Sequence, residues 1–191
     1  MFREKLVTAV RALLAFSLLC GVLYPFAITA IAQAAFPKAA NASLIIRGGK
    51  PIGSSLIGQQ FTDARYFWSR PSATSPSYNG ASSSGSNFGP LNPALKAEVE
   101  DRMKALQAAD PQNTKPIPID LVTSSASGLD PHISIAAAQY QKGRVARARS
   151  IPETAVEALI QKYTQPRSFG VFGEPVVNVL LLDIALDESE K

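Results

Sequence analysis

Cysteine is almost missing from this 191-residue chain: the single one, Cys20, sits in an uncharged apolar run, so nothing downstream can form a disulfide or offer a thiol. One histidine, His132, excludes a protein-only zinc site of the usual Cys and His kind. Charge is sparse and nearly balanced. The net charge is +4, but from Phe36 onward 16 Lys plus Arg face 14 Asp plus Glu, too even a mix for the concentrated basic face that phosphate neutralisation needs. Nucleic acid is excluded as a partner on that ground. The chain also has no G-x-x-x-x-G-K-S/T loop and no G-x-G-x-x-G turn, so it lacks the backbone cradle for independent nucleotide binding. It has no G-x-S-x-G elbow and no internal repeat.

What is present begins with a long uncharged stretch, Ala12 to Pro37, which exceeds the ~20 apolar residues that cross a hydrocarbon layer of ~30 Å. It predicts a transmembrane helix over 12–35, bent near Gly21 and Pro25 because proline removes a backbone donor. Leu13, Phe16, Cys20, Leu23 and Ala27 recur at three or four residues and suggest one stripe for a partner helix. Arg3, Lys5 and Arg11 precede the span against Glu4 alone, and Lys38 is the sole near charge after it. The positive-inside rule then leaves residues 1–11 cytoplasmic and residues 36–191 extracytoplasmic. Ala32-Gln33-Ala34 has the small-x-small form of a signal-peptidase site, yet cleaved peptides carry apolar cores of only ~7 to 15 residues, so an uncleaved anchor is the better reading.

Leu44 to Arg47 and Ile52 to Ile57 around Gly48-Gly49 predict a hairpin. Ser69 to Asn92 is rich in Ser, Asn, Gly and Pro, and its aromatic entry Tyr66-Phe67-Trp68 favours an ordered loop over a free linker. Asn92-Pro93 opens a helix with Leu95, Val99, Met103 and Leu106 on one face, ending near Asp110-Pro111. A second helix starts at Asp130-Pro131 or at Ser134 and turns Ala136, Ala137, Tyr140 and Val145 inward, with Arg144, Arg147 and Arg149 at a solvated basic end. Ser150-Ile151-Pro152-Glu153 reads as a capping box for a third helix with Val156, Leu159, Ile160 and Tyr163 inward. Ile119 to Val122 and the apolar run Val176 to Leu186 read as strands. The expected fold class is a single N-terminal transmembrane helix plus one α+β domain with a small sheet and about three helices.

Chemistry is thin. Asp130-Pro131-His132 near many serines suggests a membrane-anchored hydrolase using Ser, His132 and Asp130, but the signal is weak, because the carboxylate is well explained as a helix cap. The Gly80 to Asn87 run could cradle an ion, though turn chemistry explains the same composition. Gln141 with Arg144, Arg147 and Arg149 could hold an anion, Arg offering a forked donor.

Four strings, YFWSRPSA at 66–73, YNGASSSGSNFGPLNPAL at 78–95, DLVTSSASGLDPHISIAAAQYQKGRVARAR at 120–149 and GEPVVNVLLLDIALD at 173–187, resemble the C-subunit family of the bacterial Kdp potassium-transporting P-type ATPase. The likeness runs nearly end to end and includes the N-terminal span. It implies a single-pass protein of the bacterial inner membrane, non-catalytic, working with a potassium-selecting channel-like subunit, a P-type ATPase subunit and a small single-span subunit. It implies no cofactor of the chain's own, ATP belonging to the ATPase subunit. The chain accordingly lacks the DKTGT phosphorylation motif. The family's C subunit has been described as a catalytic chaperone raising ATP affinity, which would make Gln141, Arg144 and Arg147 nucleotide or partner contacts. That role conflicts with the charge-derived topology, which puts Gln141 outside and ATP inside, and the topology favours assembly, or a cap beside the outer mouth of the potassium-selecting subunit. Ile135, where the family often has proline, and Ser125-Ala126 depart from the pattern and leave the start of the second helix open.

Overall fold

The structure, a computed structural model, describes residues 2–189. It divides into two units, Met1–Ile52 and Gly53–Lys191. In the first, α1 (Phe2–Leu18), a π-helical turn (Leu19–Leu23) and α2 (Tyr24–Ala35) form one 34-residue helix, long and apolar enough to cross a membrane. The basic leader is therefore helical as well. Where a bend is expected at Gly21 and Pro25, the helix makes a π turn. Pro25 has no N–H to give the Gly21 carbonyl, and the Tyr24 N–H bonds Leu19 five residues back. The extra residue corrects the single stripe, because it rotates Leu23 and Ala27 by about 100° relative to Leu13 and Phe16.

After a short α3 (Pro37–Ala40), β1 (Leu44–Arg47) and β2 (Lys50–Ser54) make the predicted hairpin. Gly48 and Gly49 take φ of +57° and +76°, the two-residue turn that only glycine makes cheaply. Because that turn is so tight, the return strand starts at Lys50 and ends at Ser54 instead of spanning 52–57.

The second unit packs four helices of ten residues or more, one beyond expectation, around a three-stranded antiparallel sheet. The helices are α4 (Pro93–Ala109), α5 (Ile135–Arg149), α6 (Glu153–Lys162) and α7 (Val179–Ser189). The sheet runs β3 (His132–Ser134), β5 (Val176–Asn178), β4 (Thr164–Gln165), with Ile133 opposite Val177 and Thr164 opposite Val177 on the other side. Phe67, Leu121, Ile133, Val156, Val177 and Leu182 lie at its fully buried centre.

Two predicted strands are corrected. Val176 to Leu186 is strand for three residues only; Asn178 Oδ1 then accepts the Leu181 N–H at 3.1 Å and starts α7, whose burial makes it apolar on nearly every side. A short apolar run does not separate a buried helix from a buried strand. Ile119–Leu121 is a 3-10 turn, closed by Leu121 N–H on the Pro118 carbonyl at 3.1 Å.

Helix starts also sort themselves. Ser134, not Asp130-Pro131, opens α5, accepting the Ala137 N–H at 3.0 Å, because residues 132–134 are committed to the sheet. Ala137, Tyr140 and Val145 turn inward as expected, whereas Ala136 is exposed. The capping box at Ser150 does not form: Ser150 is the left-handed cap of α5 at φ +56°, and α6 begins after Pro152 without a side-chain cap. In α4, Asn92 caps Ala94 at 2.9 Å as predicted, but of the predicted face only Leu106 is fully buried and Met103 is exposed.

Candidate functional site

Residues 55 to 92 have almost no regular structure, yet Phe67, Trp68 and Ser69 are buried. Their backbone groups need partners that no ladder supplies. Side chains from α5 and α7 supply them. Gln141, 1% exposed, accepts the Trp68 N–H at 2.8 Å and donates to the Trp68 carbonyl at 3.1 Å. Asp183 of α7 accepts the Phe67 N–H at 2.9 Å. Arg144 donates to the carbonyls of Ala64 at 2.7 Å and Tyr66 at 3.0 Å and to Gln141 Oε1 at 2.7 Å, its guanidinium 4.9 Å from the Trp68 ring centre. Arg149 donates to the Arg65 carbonyl at 2.7 Å, pairs with Asp187 at 2.9 Å and stacks over Tyr66.

The arginines at the end of α5 are thus not a solvated face. Arg144 and Arg149 are buried clamps on the chain 63–68, and only Arg147 is exposed, paired with Asp110 at the end of α4. Burial lowers Arg144 to a pKa of about 10, still charged at neutral pH. Burial raises the Asp183 carboxyl well above its usual value against the pull of the Phe67 N–H and Arg149, and its Oδ2 is buried with no hydrogen-bond partner among the described residues.

Asp130 is not a helix cap. Its Oδ1 accepts the His132 N–H at 3.0 Å and lies 3.3 Å from His132 Nδ1, and its Oδ2 meets Arg70 at 3.1 Å. Burial pushes Asp130 up, but the hydrogen bonds from His132 and the Arg70 charge outweigh it and hold the carboxylate below its usual value. His132 Nε2 is buried with no hydrogen-bond partner among the described residues. The nearby Ser134 hydroxyl is engaged instead by Asp120 at 3.1 Å and by the α5 cap. The serine that a triad needs is not brought to the histidine.

The Ser- and Asn-rich stretch is the ordered loop that its aromatics suggest. It is sewn to residues 124–128 by Ser72 Oγ on the Gly128 carbonyl at 2.6 Å, Ser84 N–H on the Ser127 carbonyl at 3.0 Å and Ser124 on Ser86 at 3.2 Å. Within Gly80 to Asn87, Ser83 donates to the Ser127 carbonyl at 3.0 Å and Ser86 meets Ser124, so these side chains also fasten the loop.

One feature escaped the sequence reading. Residues 167–174 form a tight projection, closed by a Ser168–Phe172 bridge and an Arg167–Glu174 ion pair at 2.7 Å. At its tip Phe169 is 95% exposed and Val171 and Phe172 about 70%. Phe169 takes φ +53°, beside Gly170 at +74°. Two phenylalanines spaced by glycines in a polar run are the signal that could have exposed it, since contiguous exposed apolar surface marks interaction sites.

Residues 6–188 match the family described as K+-transporting ATPase, c chain, KdpC. The chain belongs to the KdpC family. It is 61% identical over 173 residues to the potassium-transporting ATPase KdpC subunit of Ralstonia nicotianae, covering 90% of this chain and 85% of that one. The KdpC subunit of Dechloromonas aromatica is 61% identical, covering 90% of each chain, and that of Methylococcus capsulatus 57%, covering 94% and 95%. Membership in the KdpC family gives the chain an accessory place in a potassium-transport complex.

Of the three residues that the resemblance offered as contacts, Gln141 and Arg144 face inward on the 63–68 segment. Arg147 is the exposed one of the three and borders a cavity of about 190 Å³ shared with Asn113, Lys115, Tyr140 and Glu153; a second, more open cavity beside Ala64 and Pro111 is lined by both Arg144 and Arg147.

Proposed function

We propose that the chain assembles and stabilises the potassium-uptake ATPase from outside the inner membrane, with its N-terminus cytoplasmic and residues 36–191 extracytoplasmic. Its partners are the potassium-selecting channel-like subunit, the P-type ATPase subunit and the small single-span subunit. The observation that carries this reading is the contrast between Gln141 and Arg144, both turned inward and engaged, and an uncovered apolar tip on the surface. Gln141 and Arg144 spend their hydrogen bonds on the chain's own backbone, while Phe169, Val171 and Phe172 project with nothing to cover them. A subunit of a complex hides such a tip against a partner, here beside the outer mouth of the potassium-selecting subunit.

The finer role, raising the ATP affinity of the ATPase subunit, is then indirect. ATP is the ATPase subunit's ligand, and Arg147, not Gln141, is the one of the three exposed enough to meet a partner. The experiment is to purify the complex with and without this chain and measure complex abundance, potassium-stimulated turnover and the KM for ATP. Lost turnover through lost assembly is expected, with any rise in the KM for ATP following from the loss of docking. Undiminished complex abundance without the chain would refute the assembly reading, whatever the KM. External protease on spheroplasts should remove the domain; protection of the domain would overturn the topology.

A further inference from the structure

The long N-terminal helix has one interruption that the chain does not repair. In an α-helix the Cys20 carbonyl takes its hydrogen bond from the N–H of residue 24. Here the Tyr24 N–H bonds Leu19 instead, one residue further back. The next nitrogen, at Pro25, carries no hydrogen. The Cys20 carbonyl is thereby left without a helical donor, and the Gly21 carbonyl loses its α-helical one to the same proline. A Ser or Thr four residues on mends such a gap by reaching back with its hydroxyl, but positions 24 and 25 hold Tyr and Pro. The backbone stays right-handed helical on both sides, with φ and ψ of −67° and −47° at Leu18 and −63° and −52° at Tyr24. The helix has rearranged its donors without breaking.

The place of the gap makes it costly. Residues 12–37 carry no charge, and Cys20 lies nine residues past Arg11, roughly 13 Å along the axis at about 1.5 Å per residue. In a hydrocarbon layer of ~30 Å that is near the middle, where neither water nor an acyl chain offers a donor. Gly21 is next to the open carbonyl, and a Cβ built on it would meet nothing within 4 Å. The fold of the chain itself therefore does not require glycine there. What the missing side chain gives is room for another backbone to approach. The most apolar part of the helix is wholly uncovered, so that room is empty.

We propose that the π turn is a docking notch for one transmembrane helix of the pump, which packs against Gly21 and gives the Cys20 carbonyl a hydrogen bond from a hydroxyl or amide side chain. This rests on the reading of the chain as a membrane subunit of the pump and adds the chemistry of one contact. Lipid supplies no hydrophobic drive for helices to associate, so close approach and a polar bond must supply it.

Cys20 is the only cysteine, so cysteine with carbon-13 at its carbonyl labels this one group. The labelled full chain is placed in phosphatidylethanolamine and phosphatidylglycerol vesicles, alone and assembled with the unlabelled other subunits. The labelled-minus-unlabelled infrared difference spectrum is then read. In the isolated chain the Cys20 band should lie at the free-carbonyl position, and it should shift to lower frequency on assembly. Pro25→Ala returns a donor and should lower the band in the isolated chain; a band unmoved by that change overturns the proposal. Gly21→Leu fills the notch while touching nothing in the chain, so it should leave the isolated band in place and cut recovery with the pump tenfold or more. Undiminished recovery of Gly21→Leu overturns the proposal. So does a band already low in the isolated parent, from water, lipid or a second copy, or one that assembly at normal complex abundance does not move. Failure of the labelled parent to join the pump at all would instead refute the membrane-subunit reading, and the notch with it.

Discussion

Replacing Gln141 separates a ligand contact from a structural staple. In Gln141→Ala the Trp68 N–H and carbonyl both lose their only side-chain partner in a place water does not reach. Each buried unpaired group costs roughly 1 to 3 kcal/mol, so the loss should be about 3 kcal/mol after some relaxation. That is a large part of a typical domain's stability of about 5 to 15 kcal/mol. At roughly 2 to 4 °C per kcal/mol for a chain this long, the melting temperature should fall by about 9 °C. The assay is thermal melting of the full chain in detergent followed by Trp68 emission, alongside the KM for ATP of the complex carrying the same variant. Gln141→Glu should fall between, since a carboxylate still accepts from Trp68 N–H and Arg144 but presents an acceptor to the Trp68 carbonyl. A melting temperature within 2 °C of the parent together with a tenfold rise in KM for ATP would refute the staple and restore Gln141 as a ligand contact.

Asp183 has a raised folded-state pKa, so its cost to stability is absent below the unfolded carboxylate pKa of about 3.9 and grows as pH rises through that value. Asp183→Asn should therefore melt above the parent at pH 7 and match it near pH 4, by thermal scans at both. Gly128 takes φ +66°, and a Cβ there would meet the Ser84 carbonyl oxygen, so Gly128→Ala should unfasten the loop and speed its cleavage in limited proteolysis. Phe169→Ser with Phe172→Ser should leave melting unchanged, because neither ring is packed, yet reduce co-purification with the pump severalfold. His132→Ala should leave potassium uptake measurable at normal complex abundance; lost uptake at that abundance would point to a chemical role.

What the sequence disclosed and what it hid follow from where each signal lives. The span, the hairpin at Gly48-Gly49 and the cap at Asn92 are set by local residue types and could be read, whereas Ser134 was one of two helix starts that the residues left open. Val179–Ser189 was hidden because a helix buried on nearly all sides has no polar face to show its period. Ser150 has the composition of an N-cap but serves the helix before it, a choice made by a left-handed backbone angle. The site was hidden for a longer-range reason. Arg144 and Arg149 answer carbonyls about 80 residues earlier in an irregular segment, and no helical pattern records such partners. Basic residues at a helix end fit the dipole rule whether they face water or clamp a loop.

The same clamps bear on how a domain that lies outside, as proposed above, changes ATP binding at all. A subunit that shifts the pump's ATP affinity without touching ATP must bind the ATP-loaded pump more tightly than the empty one, by the same factor. The interior offers no lever for this, since Gln141, Arg144 and Arg149 hold the chain to itself and their loss lowers stability in every state of the pump alike. The lever must lie where chain and pump meet, and on the proposed assembly the candidates are the span with its π turn, the Phe169 tip and Arg147. A tenfold effect needs only about 1.4 kcal/mol of difference between two docked states, less than burying one phenylalanine contributes. An ATP effect and an assembly role are therefore one docking equilibrium seen from two ends, and the affinity of the chain for the pump, measured with and without ATP, must carry the same ratio as the affinity for ATP measured with and without the chain.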